Sequence, residues 1–575
     1  MQAMEPAQQL AYLTSFYDRF EAWKTTQADR VSQIPPELLV MAQALNSAFR
    51  PFINHVVKPK NQLAADPREE FQIRAAKVIE VGLNSFYMPA DHLEVDFLSD
   101  SGSSAMTTAQ WGQMMQGDES YGSNEGWYQF NDTMADIFGE RYASVFLGKH
   151  RNQALNEQYK LRKNFNYIVN QGRGAENQLF PALAQALVNR DYRTIEGAVD
   201  YNVICTNNFF DTTSGHILDI TDKPFRAPDG KTVRVTFNLM NHPNPKVRDG
   251  TYCASDKYLG DGDFELLSRN VEAAPGKTAI VFTTITNNSG GSQPVSLQHI
   301  EAVSALCKKH GIPYIMDACR FAENAYLIKT IEDSPLSVRE IVHKTFALVD
   351  GFTISLKKDG IANCGGAVCF APESVNFGQF VGQETGCILQ QIMDGVILKV
   401  GHFTYGALTG RDIKAACAGL QQVVEFNYLK GRIDQVQRFA AQLKALGIPV
   451  LDPCGTSAVY IDVDRFFGRD KRAQFLGNAL VGLMLAKGIR GCELGVSAFY
   501  SPHGNAPYKS VEAVSGNFVR LAIPRQLYSD SDLDAAALWI KFLFDCRADI
   551  RGVVDRAGLR QLSLHHFKMQ FDYAQ

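Results

Sequence analysis

Between residues 278 and 356 the chain alternates apolar, β-rich runs with helix-patterned runs, and this alternation constrains the fold more than any other feature. TAIVFTTITN (278–287) is mostly apolar or β-branched, as a strand buried on both faces must be. In PVSLQHIEAVSALCKKHG (294–311), Leu297, Ile300, Val303 and Leu306 mark one helical face, Ser296 can cap the start and Gly311 suits the end. PYIMDA (313–318) and ALVDGFTISL (347–356) read as further strands. Strand–helix–strand units of this kind build a doubly wound α/β sheet with mostly parallel strands. Such sheets bind ligands at the carboxyl ends of their strands. Asn287, Asp317 and the pair Lys357–Lys358 each stand at or just after such an end.

A chain of 575 residues exceeds one compact core, and the pattern changes after about residue 420. YLKGRIDQVQRFAAQLKALGIPV (428–450) reads as an amphipathic helix and turn, AVYIDVDRF and NFVRLAIPRQL as strands, and DLDAAALWIKFLFDC as a helix. The expected organisation is a helical arm over 1–65, a large domain over 116–420, and a smaller, discontinuous α+β domain from 66–115 and 421–575. In the arm, Leu10, Leu13, Tyr17 and Phe20 keep helical spacing until the proline pair of QIPPELL (33–39) interrupts it. The arm can pack on the body or on a partner subunit.

A net charge of -4 gives no basic field for nucleic acid or anionic lipid. No run approaches the ~20 apolar residues of a membrane span, and Glu5 stands where a signal peptide would be basic. The eleven cysteines include no C-x-x-C pair, which argues for reduced thiols and a cytoplasmic protein. Nothing resembles a zinc site: H-E-x-x-H is absent.

GFTISLKKD (351–359) delivers two adjacent lysines to a strand end. An ammonium beside a like charge loses proton affinity, and a lysine so altered attacks carbonyls and forms Schiff bases. A solvated pair, or one lysine bound to Asp359, is the plainer alternative. Asp317 ends an apolar strand, where a carboxylate is costly to bury without a cation. A protonated pyridine nitrogen would serve, as in pyridoxal phosphate (PLP) enzymes; capping a helix would also occupy it. NQGRGAENQLF (170–180) can cradle a phosphate, with Gly172 and Gly174 opening the backbone N–H groups and Arg173 adding charge, or can be an ordinary turn into a helix. Phe209 and Phe210 can cover a planar cofactor or fill a core.

The stretches DSGSSAM, QWGQMMQGDESY, NQGRGAEN, FFDTTSGH, MDACRFAENAY, SLKKD and VRLAIPR occur in that order. Together they resemble the tryptophanase and tyrosine phenol-lyase family of PLP-dependent β-eliminating lyases, from about residue 70 to the C-terminus. The resemblance implies an aspartate-aminotransferase-like (type I) PLP fold, and a carbon–carbon lyase that releases pyruvate and ammonia from an amino acid. It makes Lys358 the cofactor-bearing lysine and the base for the α-proton, with Lys357 charged nearby. Asp317 would pair with the pyridine nitrogen, Arg320 would lie near the ring oxygen and Phe210 would stack on the ring. Gln171, Gly172, Arg173 and Ser355 would hold the phosphate. Asn287 and Arg520 would grip the substrate carboxylate, with Ser101 also a substrate contact. Tyr121 would be a general acid acting across a subunit interface. Glu119 with the Gly102 and Asn363 carbonyls would bind potassium, and the assembly would be a homotetramer.

For the leaving group, the phenol-lyase branch has threonine where this chain has Asp211, and an arginine where IRGCELG has Leu494. Leu494 suits an indole and Asp211 can accept its N–H; His566 in LHHF (564–567) matches the tryptophanase tail. L-Tryptophan is therefore the favoured substrate. Tyrosine or an S-substituted cysteine is the alternative, and a transaminase or a non-catalytic PLP-binding scaffold a more distant one. The chain departs from the family pattern in a long N-terminal arm and in the insertion SVFLGKHRNQALNEQYKLRKNF (144–165). One added residue makes Asn288 an alternative to Asn287. The long stretch from Glu384 to Asp412 lacks the family's proline before its TYG tripeptide.

Overall fold

The computed structural model describes residues 2–31, 63–143, 166–371, 388–499, 514, 516–556 and 565–575. The proline pair at 35–36, the insertion over 144–165 and residues 384–387 of the long stretch lie outside the described residues. The chain forms two units: Ser101–Lys430, and Met1–Asp100 with Gly431–Gln575.

In the larger unit the described residues form one eight-stranded sheet. Its strands are β1 (Asn166–Val169), β2 (Ala198–Cys205), β3 (Pro224–Arg226), β4 (Thr232–Asn241), β5 (Thr278–Thr284), β6 (Tyr314–Asp317), β7 (Gly351–Ser355) and β8 (Gly366–Phe370). The order across the sheet is β1-β8-β7-β6-β5-β2-β4-β3. The run β4-β2-β5-β6-β7 is parallel, and the pairings that involve β1, β8 and β3 are antiparallel. This is the mostly parallel α/β sheet expected. β5, β7 and β8 are buried at every position, because helices cover both faces of such a sheet. The register aligns Thr284 with Asp317 and Asp317 with Thr353, so three carboxyl ends meet at one rim.

Helix Leu297–His310 starts and stops as its sequence signals require. Ser296 Oγ accepts the His299 N–H at 3.0 Å, and Gly311 closes the helix with φ 65. The strand expected from residue 347 begins only at Gly351. The preceding helix, Val338–Phe346, runs on into Ala347, whose N–H donates to His343. Residues 101–115 lie with the larger unit, since Gln110 Nε2 donates to the Ile361 and Ala415 carbonyls at 3.1 and 3.2 Å.

The smaller unit contains a three-stranded antiparallel sheet with Phe518–Ala522 between Ala458–Asp462 and Cys492–Leu494. Val459, Ile461, Val519 and Leu521 turn one face of it into the unit's main core. Helix Pro6–Val31 packs on this same unit. Leu13, Phe16, Tyr17 and Phe20 are buried in its core, and Phe20 meets Trp539 at 4.8 Å. Among the described residues no helix is long and apolar enough to cross a membrane.

Candidate active site

The rim of β5, β6 and β7 faces the start of helix Gly172–Asp191. Its N-cap, Gln171, makes no side-chain cap hydrogen bond, whereas Thr107, Asn124, Ser296, Ser337 and Thr409 all cap their helices. A helix start with its first amides uncapped attracts an anion. Two close approaches shape this start. A Cβ on Gly172 would stand 3.0 Å from Ser355 Cβ, and one on Gly366 only 2.4 Å from the Gln171 carbonyl carbon. Ser355 is thereby held beside Gly172.

β7 ends at Ser355 and the chain turns at once, with the Lys358 N–H 3.3 Å from the Ser355 carbonyl. Lys357 points back to the cradle, its Nζ 3.4 Å from Gln171 Oε1. Burial lowers its proton affinity, and the charges of Lys358 and Arg173 lower it further. Asp359 faces elsewhere: its Oδ2 accepts the Ala322 N–H at 2.8 Å and caps the following helix, Phe321–Ile331.

Asp317 is half-buried at the end of β6. Burial raises its carboxyl above the ordinary range, and the positive charge of Lys358 is the largest influence in the other direction. Its Oδ1 accepts a long bond, 3.3 Å, from the Cys319 N–H, and the Cys319 side chain also bonds to the carboxyl. A carboxylate desolvated in this way gains from a cationic partner. Arg320 is 2% exposed, and its Nη1 donates to the Thr286 carbonyl at 3.2 Å. The Phe-Phe pair divides its roles. Phe209 belongs to the core and meets Phe282 at 6.4 Å, while Phe210 is half-exposed at the start of helix Asp211–Ile220. The Asp211 side chain lies outside the described set.

Asn287 is buried, and its amide ties its own loop to the segment after β2. Nδ2 donates to the Asn208 carbonyl, and Oδ1 accepts the Gly290 N–H at 3.2 Å. Asn288 is 7% exposed. Gly102 and Asn363 come together, with Asn363 Nδ2 3.0 Å from the Gly102 carbonyl; Ser101 is half-buried beside Gly102 in sequence. Glu119 instead pairs with Arg411 at 2.9 Å. Tyr121 is 73% exposed.

Three expected site residues belong to the smaller unit. Arg520 lies opposite Tyr460 on one side and Cys492 on the other, and Leu494 lies opposite Phe518. Directly paired residues and those two apart share a sheet face, so Arg520, Tyr460, Phe518 and Leu494 do. Tyr460, Leu494, Phe518 and Ala522 pack together there. Arg520 Nη2 donates to the Leu98 carbonyl at 2.7 Å, while its Nε is buried without a hydrogen-bond partner. His566 lines a small cavity of this unit with Glu493, Ser497 and Asn478.

Sequence reasoning passed over Glu176 and Glu493. Glu176 accepts the hydroxyls of Thr212, at 3.2 Å, and Thr213, and so ties the helix behind Phe210 to the cradle helix. Glu493 accepts the Ser497 N–H at 3.0 Å, and burial raises its carboxyl. A glutamate two residues after a glycine pair (Gly172, Gly174) was the available signal for the first. Nothing local marks the second.

The rim therefore joins an anion cradle, a lysine pair and a desolvated aspartate, the parts of an enzyme site built around a phosphorylated pyridine. The beta-eliminating lyase family matches residues 96–538. A tryptophanase of Hyphomonas neptunium is 32% identical over 545 residues, covering 92% of this chain and 100% of the relative. A probable tryptophanase of Aeropyrum pernix is 30% identical, covering 92% and 97%. A tyrosine phenol-lyase of Clostridium tetani is also 30% identical, covering 91% and 98%. The chain belongs to the beta-eliminating lyase family and is a PLP-dependent lyase.

The residues present fit that cofactor. The start of the helix at Gly172, where Gln171 makes no side-chain cap, suits its phosphate together with Ser355, and the desolvated Asp317 carboxylate suits its ring nitrogen.

Proposed function

We propose that this lyase cleaves L-tryptophan to indole, pyruvate and ammonia. The observation that carries the reading is the shared sheet face of Arg520 and Leu494. A guanidinium with an unpartnered, buried Nε suits the substrate carboxylate. Leu494, Tyr460 and Phe518 beside it offer an apolar wall for an indole. The two relatives named as tryptophanases support the same reading.

Bound PLP supplies an electron sink for the pair released when the α-proton leaves. Lys358 takes that proton on Nζ. Asp317 keeps the ring nitrogen protonated, and the amides of Gly172 and Arg173 with Ser355 anchor the phosphate. Arg320 would interact with the ring oxygen, and Phe210 would cover the ring. Arg520 would hold the substrate carboxylate, and Asn287 and Ser101 are further candidate substrate contacts. Tyr121 gives its phenolic proton to the leaving carbon, so that the broken Cβ bond's electron pair ends in a neutral indole. Asp211 would accept the indole N–H, and His566 is a further candidate group of the proposed site. Water then converts the three-carbon remainder to pyruvate and ammonia. Potassium on the Gly102 and Asn363 carbonyls and Glu119, and a homotetramer that brings Tyr121 to a neighbouring site, complete the proposal.

A second reading keeps the chemistry and changes the leaving group to phenol or a thiol; the equal identity to a tyrosine phenol-lyase favours it. Pyruvate release from a panel of tryptophan, tyrosine and S-substituted cysteines separates the two, with Lys358→Ala as the inactive control. Indole release with the highest kcat/KM on tryptophan is expected. Pyruvate from tyrosine without indole from tryptophan overturns it.

A further inference from the structure

The turn that presents Tyr121 rests on the segment His402–Tyr405, part of the stretch in which this chain lacks the family's proline before TYG. Ser123 donates its N–H to Thr404 Oγ1 at 2.9 Å. That oxygen lies 2.8 Å from His402 Nδ1, and the Thr404 N–H points at the same nitrogen from 3.4 Å. A hydroxyl has one proton to give. Because the Thr404 N–H is aimed at it, His402 Nδ1 is an acceptor, so the Thr404 hydroxyl donates its proton there while accepting the Ser123 N–H.

Contacts within the turn follow the same path. A Cβ on Gly122 would stand 3.4 Å from Thr404 Oγ1 and 3.6 Å from His402 Nδ1, so the turn's backbone lies directly on this pair. The Tyr121 ring is 6.0 Å from the His402 ring and 5.8 Å from the Tyr405 ring. The two ends of the turn are tied down separately. Asp118 accepts the N–H groups of Ser120 and Glu125 at 3.0 and 2.8 Å. Lys414, 4% exposed, donates to the Gln116 carbonyl at 3.0 Å and to Glu125 at 2.6 Å. With both ends fixed, the middle of the turn has His402 and Thr404 as its support.

We propose that His402 is a positioning residue for Tyr121, fixing through Thr404 the turn from which the phenol delivers its proton to the leaving group. The inference rests on the reading of Tyr121 as that proton donor. His402 touches neither substrate nor cofactor in this role; it sets where the donor stands. Position matters because a misplaced catalytic group loses rate steeply with distance.

The test compares two leaving groups. A carbon leaving group needs Tyr121's proton, whereas an S-aryl cysteine releases a stable thiolate without it. Three variants are assayed as holoenzymes on the better of tryptophan and tyrosine and on S-phenylcysteine. Exchange of the substrate α-proton in deuterium oxide is followed in parallel, since it depends on Lys358. Tyr121→Phe is expected to lower elimination of the carbon group ~100-fold and to spare the other two readouts. His402→Phe is expected to shift the same way, by roughly tenfold. His402→Asn, whose Oδ1 can accept where Nδ1 did, is expected to stay within about threefold of the parent. A His402→Phe enzyme whose two substrates keep the parental ratio, with or without a general loss of rate, overturns the proposal. A Tyr121→Phe enzyme that slows both substrates alike overturns the reading of Tyr121 itself, and with it the inference.

Discussion

Asp359 caps the helix that begins at Phe321, its Oδ2 2.8 Å from the Ala322 N–H and 3.4 Å from that of Glu323. The acid that follows the lysine pair in sequence therefore neutralises a helix start, which favours negative charge, and this cap anchors the turn bearing Lys358. Asp359→Ala removes an N-cap worth about 1 kcal/mol and strands buried N–H groups at about 1–3 kcal/mol. Thermal unfolding of the variant is expected several degrees below the parent; an unchanged midpoint contradicts the assignment.

Arg520 tests the proposed substrate side. Its Nε is buried without a partner, and Nη2 is engaged at 2.7 Å by the Leu98 carbonyl. Hydrogen bonds to charged groups contribute about 1.5–3 kcal/mol, so Arg520→Ala is expected to lower kcat/KM roughly 10- to 150-fold. Arg520→Lys keeps the charge, loses the fork and recovers only part of the loss. Cofactor absorbance should stay parental in both. Unchanged steady-state kinetics contradict the role.

The cradle makes a steric prediction. Gly172→Ala places a methyl 3.0 Å from Ser355 Cβ, and overpacking of this kind costs about 1–3 kcal/mol. Cofactor affinity, measured by titrating the apoenzyme, is expected to fall at least about fivefold. Parental affinity would show that the phosphate is held elsewhere.

Much of this was legible in the sequence because it depends on neighbours along the chain. The strand–helix–strand rhythm, the Ser296 cap and the Gly311 stop are local signals, and the structure has all three. The lysine pair and Asp317 were placed by the rule that strand ends form one rim, and the register of β5, β6 and β7 gathers them there. Contacts between distant residues were not legible. Asp359 finds its amides 37 positions away, and Glu176 finds Thr212 at a separation of 36. The division of Phe209 from Phe210 depends on how the chain leaves β2, which the composition of a Phe-Phe pair does not fix.

A titration prediction lies away from the rim. Asp261 accepts the Ser296 N–H at 2.6 Å and the Ser296 hydroxyl at 2.7 Å, and burial raises its carboxyl from 3.8 to about 6. Between those values the folded chain keeps a proton that the unfolded chain has lost. Its contribution to stability is therefore full below the lower value and declines as pH rises to about 6. Urea midpoints across this interval should decline less steeply in Asp261→Asn than in the parent. Parallel profiles contradict it.

The central claim is that the second lysine of the pair holds the cofactor while the first stays free beside Gln171. Borohydride reduction of the holoenzyme fixes the attachment, and mass spectrometry of the peptide spanning 351–359 then locates it. The account predicts the reduced pyridoxyl group on Lys358 alone. A label on Lys357, or none in this peptide, contradicts it.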